Sequence, residues 1–152
     1  MLCLGPTWAH DIVLTDDGGR PLVVLLLKPQ WSVEASRDAV ELTSPNVRSR
    51  IHAIELRSSA NLEEGRVFLE TMRDTLFQTY QPIAEQPTEV DGVPAIWIRG
   101  RGLSRGFDTS LEALIFREPG GQLCLIMLQQ DVGYESNVTD LRTMVSLPEP
   151  SF

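Results

Sequence analysis

Ser104 is the residue whose surroundings most resemble a catalytic motif, because residues 102–106 read GLSRG, the nucleophile-elbow pattern of serine hydrolases. That chemistry needs a strand-to-helix turn that exposes the serine hydroxyl, followed along the chain by an acid and then a histidine. The two histidines, His10 and His52, both precede Ser104, and the residues after it have the pattern of a strand. We therefore predict no catalytic residue and no enzymatic activity, and interpret 102–106 as a hairpin loop.

The other reactive side chains of the sequence do not form a recognisable metal or cofactor site. Two histidines and two cysteines, Cys3 and Cys124, lie far apart and match no zinc-binding spacing. Acid pairs such as Glu34 with Asp38 are expected to be solvated on so acidic a chain. No glycine-rich phosphate loop precedes a helix. We therefore predict no cofactor and no metal.

A partner-binding surface is the remaining candidate site. Alternation along a strand places Trp97, Arg99 and Arg101 on one face, with isoleucines on the other, and Arg105 extends the set. Aromatic residues and arginines are the types that dominate protein interfaces. We predict that these four residues bind a protein partner. The alternative is a tryptophan packed beneath an N-terminal layer, with ordinary solvent-facing arginines guarding the sheet.

The net charge limits the classes of partner. Thirteen Lys and Arg against 21 Asp and Glu give −8, and such a chain repels phosphate backbones, so nucleic acid is not expected as a partner. The longest apolar run, 22–27, is far shorter than the roughly 20 residues of a membrane-spanning helix. We predict no transmembrane segment. The identity of the partner and the oligomeric state stay open.

Residues 1–10 are apolar and end in PTWAH, which resembles the tail of an export signal at its cleavage site but lacks a basic start. One interpretation is a residual signal and a periplasmic or otherwise exported protein. The alternatives are an N-terminal extension and a cytoplasmic location. Residues 11–152 are expected to form a single domain.

The first half of the chain predicts strands followed by a helix. Two strands, 11–15 and 22–27, flank the turn sequence DDGG and predict an N-terminal hairpin. A strand is predicted at 39–43 and another at 50–57. The clearest element is a helix over 62–80, with an Asn-x-x-Glu capping pattern at its start and Pro82 at its end.

The second half predicts a sheet and a closing helix. A loop containing two prolines leads to a strand at 93–101, and strands at 111–118 and 122–130 flank a Pro-Gly-Gly turn. Ser136 or Asn137 is expected to cap a short final helix. The whole pattern predicts an α+β domain: an antiparallel β-sheet covered by one long helix and a short C-terminal helix, with an N-terminal β-hairpin.

Several features together resemble the PsbP-like and DcrB-like superfamily, which includes a Ran-binding nuclear import factor. They are Trp31 leading into VELTSP at 40–45, the long helix, VDGVPA at 90–95, the hairpin glycines 120–121, and an apolar closing segment at 141–147. The resemblance implies an antiparallel sheet sandwiched by helices. Its members are mostly binding proteins: extrinsic photosystem subunits, GTPase partners, periplasmic lipoproteins and secretion-effector chaperones.

The resemblance therefore implies a non-enzymatic protein-binding, accessory or chaperone-like domain. The alternative is a small-ligand or lipid-binding protein, with the hairpin 11–27 lining an apolar cavity. An enzyme of unrecognised type is the third possibility.

Overall fold

The computed structural model describes most of the chain, namely residues 3–4, 11–16, 18–27, 30–36, 39–56, 61–135, 138 and 140–148. The expected capping residues Ser136 and Asn137, and the signal-like residues 5–10, lie outside these ranges. The predicted α+β class is confirmed, since the described part is mostly antiparallel sheet with one long and one short helix.

A seven-stranded antiparallel sheet forms the centre of the domain. Its spatial order is β4-β5-β6-β10-β9-β8-β7. The strands are β4 (Ser32–Ala35), β5 (Ala39–Thr43), β6 (Ser49–Leu56), β7 (Thr79–Val90), β8 (Val93–Ser104), β9 (Phe107–Arg117) and β10 (Leu123–Asp131). The central strand β10 is buried along its whole length, and its apolar run at 123–128 predicts such a strand, covered on both faces.

A smaller sheet covers one face of the large one. It has the order β1-β2-β3-β11, with β1 (Cys3–Leu4), β2 (Asp11–Thr15), β3 (Pro21–Leu26) and β11 (Val145–Ser146). The predicted N-terminal hairpin is thus β2 and β3. Leu14 and Leu25 from this hairpin join Phe116 and Ile126 of the large sheet in one buried cluster, and all four are 0% exposed.

The long helix α1 (Leu62–Leu76) covers the other face. Its start is as predicted, because the side chain of Asn61 accepts a hydrogen bond from the Glu64 backbone N–H at 2.8 Å. Gly65 faces the sheet, and a Cβ there would lie 2.7 Å from Cγ2 of Ile115. The missing side chain is therefore what allows the first turn of α1 to approach the sheet closely.

The predicted end of α1 was wrong. The helix ends at Leu76, and the proline-containing segment that was expected to be a loop forms β7. Proline has no N–H to donate, and β7 is an edge strand with a neighbour on one side only, so Pro82 and Pro87 can be accommodated there. The register also shifts by one residue between Pro82 and Ala84. Pairing of this segment with β8 therefore outweighs the helical pattern that ran on to Tyr80.

The short helix α2 (Leu141–Met144) closes the domain beside β11. Its N-cap is Asp140, whose carboxylate accepts from the Arg142 backbone N–H at 2.9 Å. Val145, expected in the helix, instead pairs with Leu25 of β3, which shortens α2 to four residues. Nowhere in the described ranges is a helix long and apolar enough to cross a membrane.

Candidate partner-binding surface

Ser104 is not placed to act as a nucleophile. β8 continues through Ser104, so the turn to β9 is only Arg105 and Gly106. The Ser104 side chain is 2% exposed, and its hydroxyl donates to the carbonyl of Leu76 at 2.8 Å. It thereby satisfies a carbonyl at the end of α1, which is a structural role.

His52 lies far from Ser104. β10 and β9 lie between β6 and β8, and the residue of β8 level with His52 is Ile98, six positions before Ser104. The two residues are therefore about 14 Å apart across the sheet and about 20 Å further apart along the strands. Burial lowers the pKa of His52, while Glu41 on the neighbouring strand acts in the opposite direction. Its Nε2 is buried and has no hydrogen-bond partner among the described residues. Within the described ranges, no group of three or more His, Cys, Asp and Glu side chains is arranged to hold a metal ion.

Trp97 lies beneath α2, in the core between the two sheets, and is only 7% exposed. Its indole N–H donates to Oε2 of Glu112 at 2.9 Å, and the same oxygen accepts from the Leu141 N–H at the start of α2 at 3.2 Å. The Arg142 guanidinium covers the ring, 4.1 Å from its centroid. Trp97 therefore supports the surface from below and offers little contact area of its own.

The three predicted arginines share this side of the molecule but differ in their pairing. Arg101 is half-exposed and forms a salt bridge with Asp108, with its Nε 2.9 Å from Oδ1. Arg105 approaches Asp131 only loosely, at 3.9 Å. Arg99 is exposed, and the described part of the chain contains no hydrogen bond or salt bridge to its guanidinium. Arg99 is thus the cation of the set with the most freedom to bind.

Sequence reasoning missed two contributors to this surface, Glu112 and Arg142. Glu112 stands directly opposite Arg99 in the β8–β9 register, and Arg142 comes from α2, far away in the sequence. Strand alternation could have placed Glu112 on the Trp97 face once β8 and β9 were paired. No local signal places Arg142 over the ring.

A groove of about 340 Å³ lies elsewhere on the molecule, between α1 and the edge strand β7. Leu69 and Ile98 are among its apolar lining residues. A salt bridge from Arg66 Nε to Glu85 Oε1 at 2.5 Å connects α1 with β7 there. Its volume lies in the range of small-molecule sites.

This arrangement of a large antiparallel sheet, a long helix and a smaller sheet is shared with solved structures of PsbP and of a Ran-binding protein, so the predicted resemblance is confirmed at the level of the fold. CyanoP from Synechocystis, a cyanobacterial PsbP, is 17% identical with a TM-score of 0.66, covering 96% of this chain and 97% of its own. The Ran-binding protein Mog1p of Saccharomyces cerevisiae is 8% identical with a TM-score of 0.57, covering 93% of this chain and 86% of its own.

LpqN of Mycobacterium tuberculosis, described as involved in cell envelope biogenesis, is 16% identical with a TM-score of 0.54, and the match covers 83% of both chains. No protein-family model matches the chain, and no curated protein matches it significantly. At these identities the likeness shows the fold alone.

Proposed function

We propose that this chain is a non-enzymatic accessory domain that binds a protein partner through the surface formed by Arg99, Arg101 and Arg105, with Trp97 supporting it from below. The observation that carries the proposal is Arg99, an exposed guanidinium without a salt bridge in the described part of an acidic chain. Within the described residues Arg99 has only a charge interaction with Asp140 and no salt bridge, so its guanidinium can attract and pair with a carboxylate of a partner.

The neighbouring contacts fit the same function. Arg142 is held over Trp97 by the ring and by Asp140, whose Oδ2 lies 3.0 Å from its Nη2. Arg99 and Arg142 both act on the carboxyl of Asp140, and its pKa is lowered, chiefly by the hydrogen bond from Arg142. Arginines held in place before binding lose less conformational entropy when a partner arrives.

Replacing Arg99 with alanine is expected to weaken capture of the partner about tenfold, the usual loss for an interface arginine worth about 1.4 kcal/mol. The free energy of unfolding should change by less than about 0.5 kcal/mol, because the Arg99 side chain is exposed. The measurement is a crosslinking pull-down from the native host, with the recovered partner quantified by mass spectrometry and the thermal midpoint measured separately.

Arg66→Ala is the matched control, because Arg66 is also a surface arginine but lies on α1, on the opposite side of the large sheet. Capture should be unchanged in this variant. Equal capture by wild type and Arg99→Ala would contradict the proposed surface.

The small-ligand alternative is favoured by one observation, the 340 Å³ groove between α1 and β7. The hairpin expected to line a cavity instead fills the core with Leu14, Leu22 and Leu25, which are 0% exposed. A small molecule retained by freshly purified protein in native mass spectrometry would favour this alternative over protein binding.

Export belongs to the same proposal. It is supported by the signal-like composition of residues 1–10 and by the shared fold of LpqN, which is described as acting in cell envelope biogenesis. N-terminal sequencing of the protein from an envelope fraction of its host is expected to find a start that differs from Met1. Protein recovered from the cytoplasm with Met1 intact would contradict export.

A further inference from the structure

Three connections meet at one end of the large sheet: the β5–β6 turn, the β8–β9 turn and the segment after β10. Backbone hydrogen bonds join them, from the Asp131 N–H to the Arg48 carbonyl at 2.9 Å and from the Val132 N–H to the Asp108 carbonyl at 2.8 Å. Exposed and half-exposed side chains gather here, and we call five of them the turn cluster: Val47, Arg48, Arg105, Phe107 and Tyr134.

Arg48 is held at the middle of the turn cluster. Its guanidinium carbon lies 5.2 Å from the centroids of both the Phe107 and the Tyr134 rings. Its Nη1 is 3.3 Å from Oδ2 of Asp131. The rings themselves remain 46% and 40% exposed. Arginine ordered between two exposed aromatic rings combines the residue types found at the centres of protein interfaces.

The turn cluster itself contains two arginines and no acid, while Glu135 follows Tyr134 and Asp108 follows Phe107, where it pairs with Arg101. The Asp131 side chain, 7% exposed, faces Arg48 at 3.3 Å and Arg105 at 3.9 Å. One carboxylate therefore serves two guanidinium groups, which remain 35% and 45% exposed. Their unused N–H groups are suited to a further carboxylate, which arginine binds with paired hydrogen bonds.

Val47 is in an unfavourable conformation. Its φ is +57°, in the left-handed region, which is a genuine outlier for a β-branched residue. Glycine or asparagine would suit this turn position better. The Val47 side chain is 62% exposed, so it gains little burial in return. The presence of valine at position 47 is therefore not explained by the stability of the turn. It would be explained if the Val47 side chain contacts a partner.

We propose that the turn cluster binds an acidic segment of another protein, in which a carboxylate stands beside an apolar side chain. The carboxylate pairs with Arg48 and Arg105, and the apolar side chain covers Val47, Phe107 and Tyr134. A nucleic acid fits less well, because a chain that carries −8 repels its phosphates. This inference rests on the proposed function, since it assigns the chemistry of the partner and extends the surface beyond Arg105.

The test uses phage-displayed random dodecapeptides selected on the full chain. Selected peptides are expected to contain Asp or Glu next to Leu, Ile or Phe. Arg48→Ala should weaken their binding at least tenfold, and Arg66→Ala should leave it unchanged. Peptides without an acidic bias, peptides that bind Arg48→Ala as well as wild type, or a selection that returns no binder would each overturn the inference.

Val47→Gly separates binding from folding. Because glycine relieves the left-handed strain, the thermal midpoint is expected to rise by about 2–4 °C. Peptide binding should nevertheless fall several-fold, since the apolar contact is lost. Unchanged peptide binding in this variant would overturn the role of Val47. Peptides whose binding depends on Arg99 but not on Arg48 would contradict binding at the turn cluster, but they would agree with the proposed function of the Arg99 surface.

Discussion

Trp97→Ala is expected to lower the free energy of unfolding by about 3–5 kcal/mol, the usual cost of removing a large buried aromatic side chain. Trp97 is 7% exposed within the core between the two sheets. Its loss also leaves Glu112 without the indole N–H and Arg142 without the ring beneath it. The attachment of α2 to the large sheet should weaken with it. Urea denaturation followed by far-UV circular dichroism measures the change.

Two controls separate packing from hydrogen bonding at this position. Trp97→Phe keeps most of the buried area but removes the N–H donor. It should therefore lower the free energy of unfolding clearly less than Trp97→Ala does. Arg99→Ala, on the same face but exposed, should change stability by less than about 0.5 kcal/mol. If Trp97→Ala were as mild as Arg99→Ala, the burial of Trp97 beneath α2 would be contradicted.

Glu118→Ala is expected to cost about 2–3 kcal/mol, because one carboxylate connects two distant parts of the domain. Its oxygens accept from Nη1 and Nη2 of Arg20, both at 3.0 Å, which joins the end of the N-terminal hairpin to the β9–β10 turn. They also accept from the backbone N–H groups of Gly120 and Gln122, both at 2.9 Å. The loss should be measured by urea denaturation at neutral pH, and Glu89→Ala, at an exposed glutamate, is the control.

This carboxylate should also make stability depend on pH. Burial alone would raise the pKa of Glu118, but the hydrogen bonds from Arg20 and the backbone outweigh it and hold the pKa below its ordinary value. Because the folded pKa lies below the unfolded one, the stabilisation is present above the unfolded pKa and is lost as the pH falls through the folded value. The difference in stability between wild type and Glu118→Ala should therefore shrink below about pH 4.5. A constant difference from pH 3 to pH 7 would contradict this role.

Local patterns were sufficient to predict much of the fold. The Asn61 cap, the first hairpin and the Pro-Gly-Gly turn before β10 depend on residues a few positions apart, and the structure has all three. The segment after α1 was mispredicted because its prolines favour a loop by propensity alone. The twelve-residue strand β7 can contain these prolines only because it lies at the edge of the sheet.

The candidate surface was predicted less completely than the fold. Alternation placed Trp97, Arg99 and Arg101 on one face, but it does not indicate which of them is covered. Burial depends on α2, which arrives from more than forty residues further along the chain and places Arg142 over the Trp97 ring. The turn cluster was missed for the same reason, since its members come from three separate connections.

The sequence by itself determined the order of the elements, the start of the long helix and the turns that pair neighbouring strands. These features depend on backbone preferences and hydrogen bonds within a few residues of each other. Only the tertiary structure decided that Trp97 is buried, that Arg99 has no salt bridge within the described part of the chain, and that Arg20 meets Glu118 across 98 positions of sequence. Burial and charge pairing depend on which distant segments pack against each other. A local sequence pattern does not predict that packing.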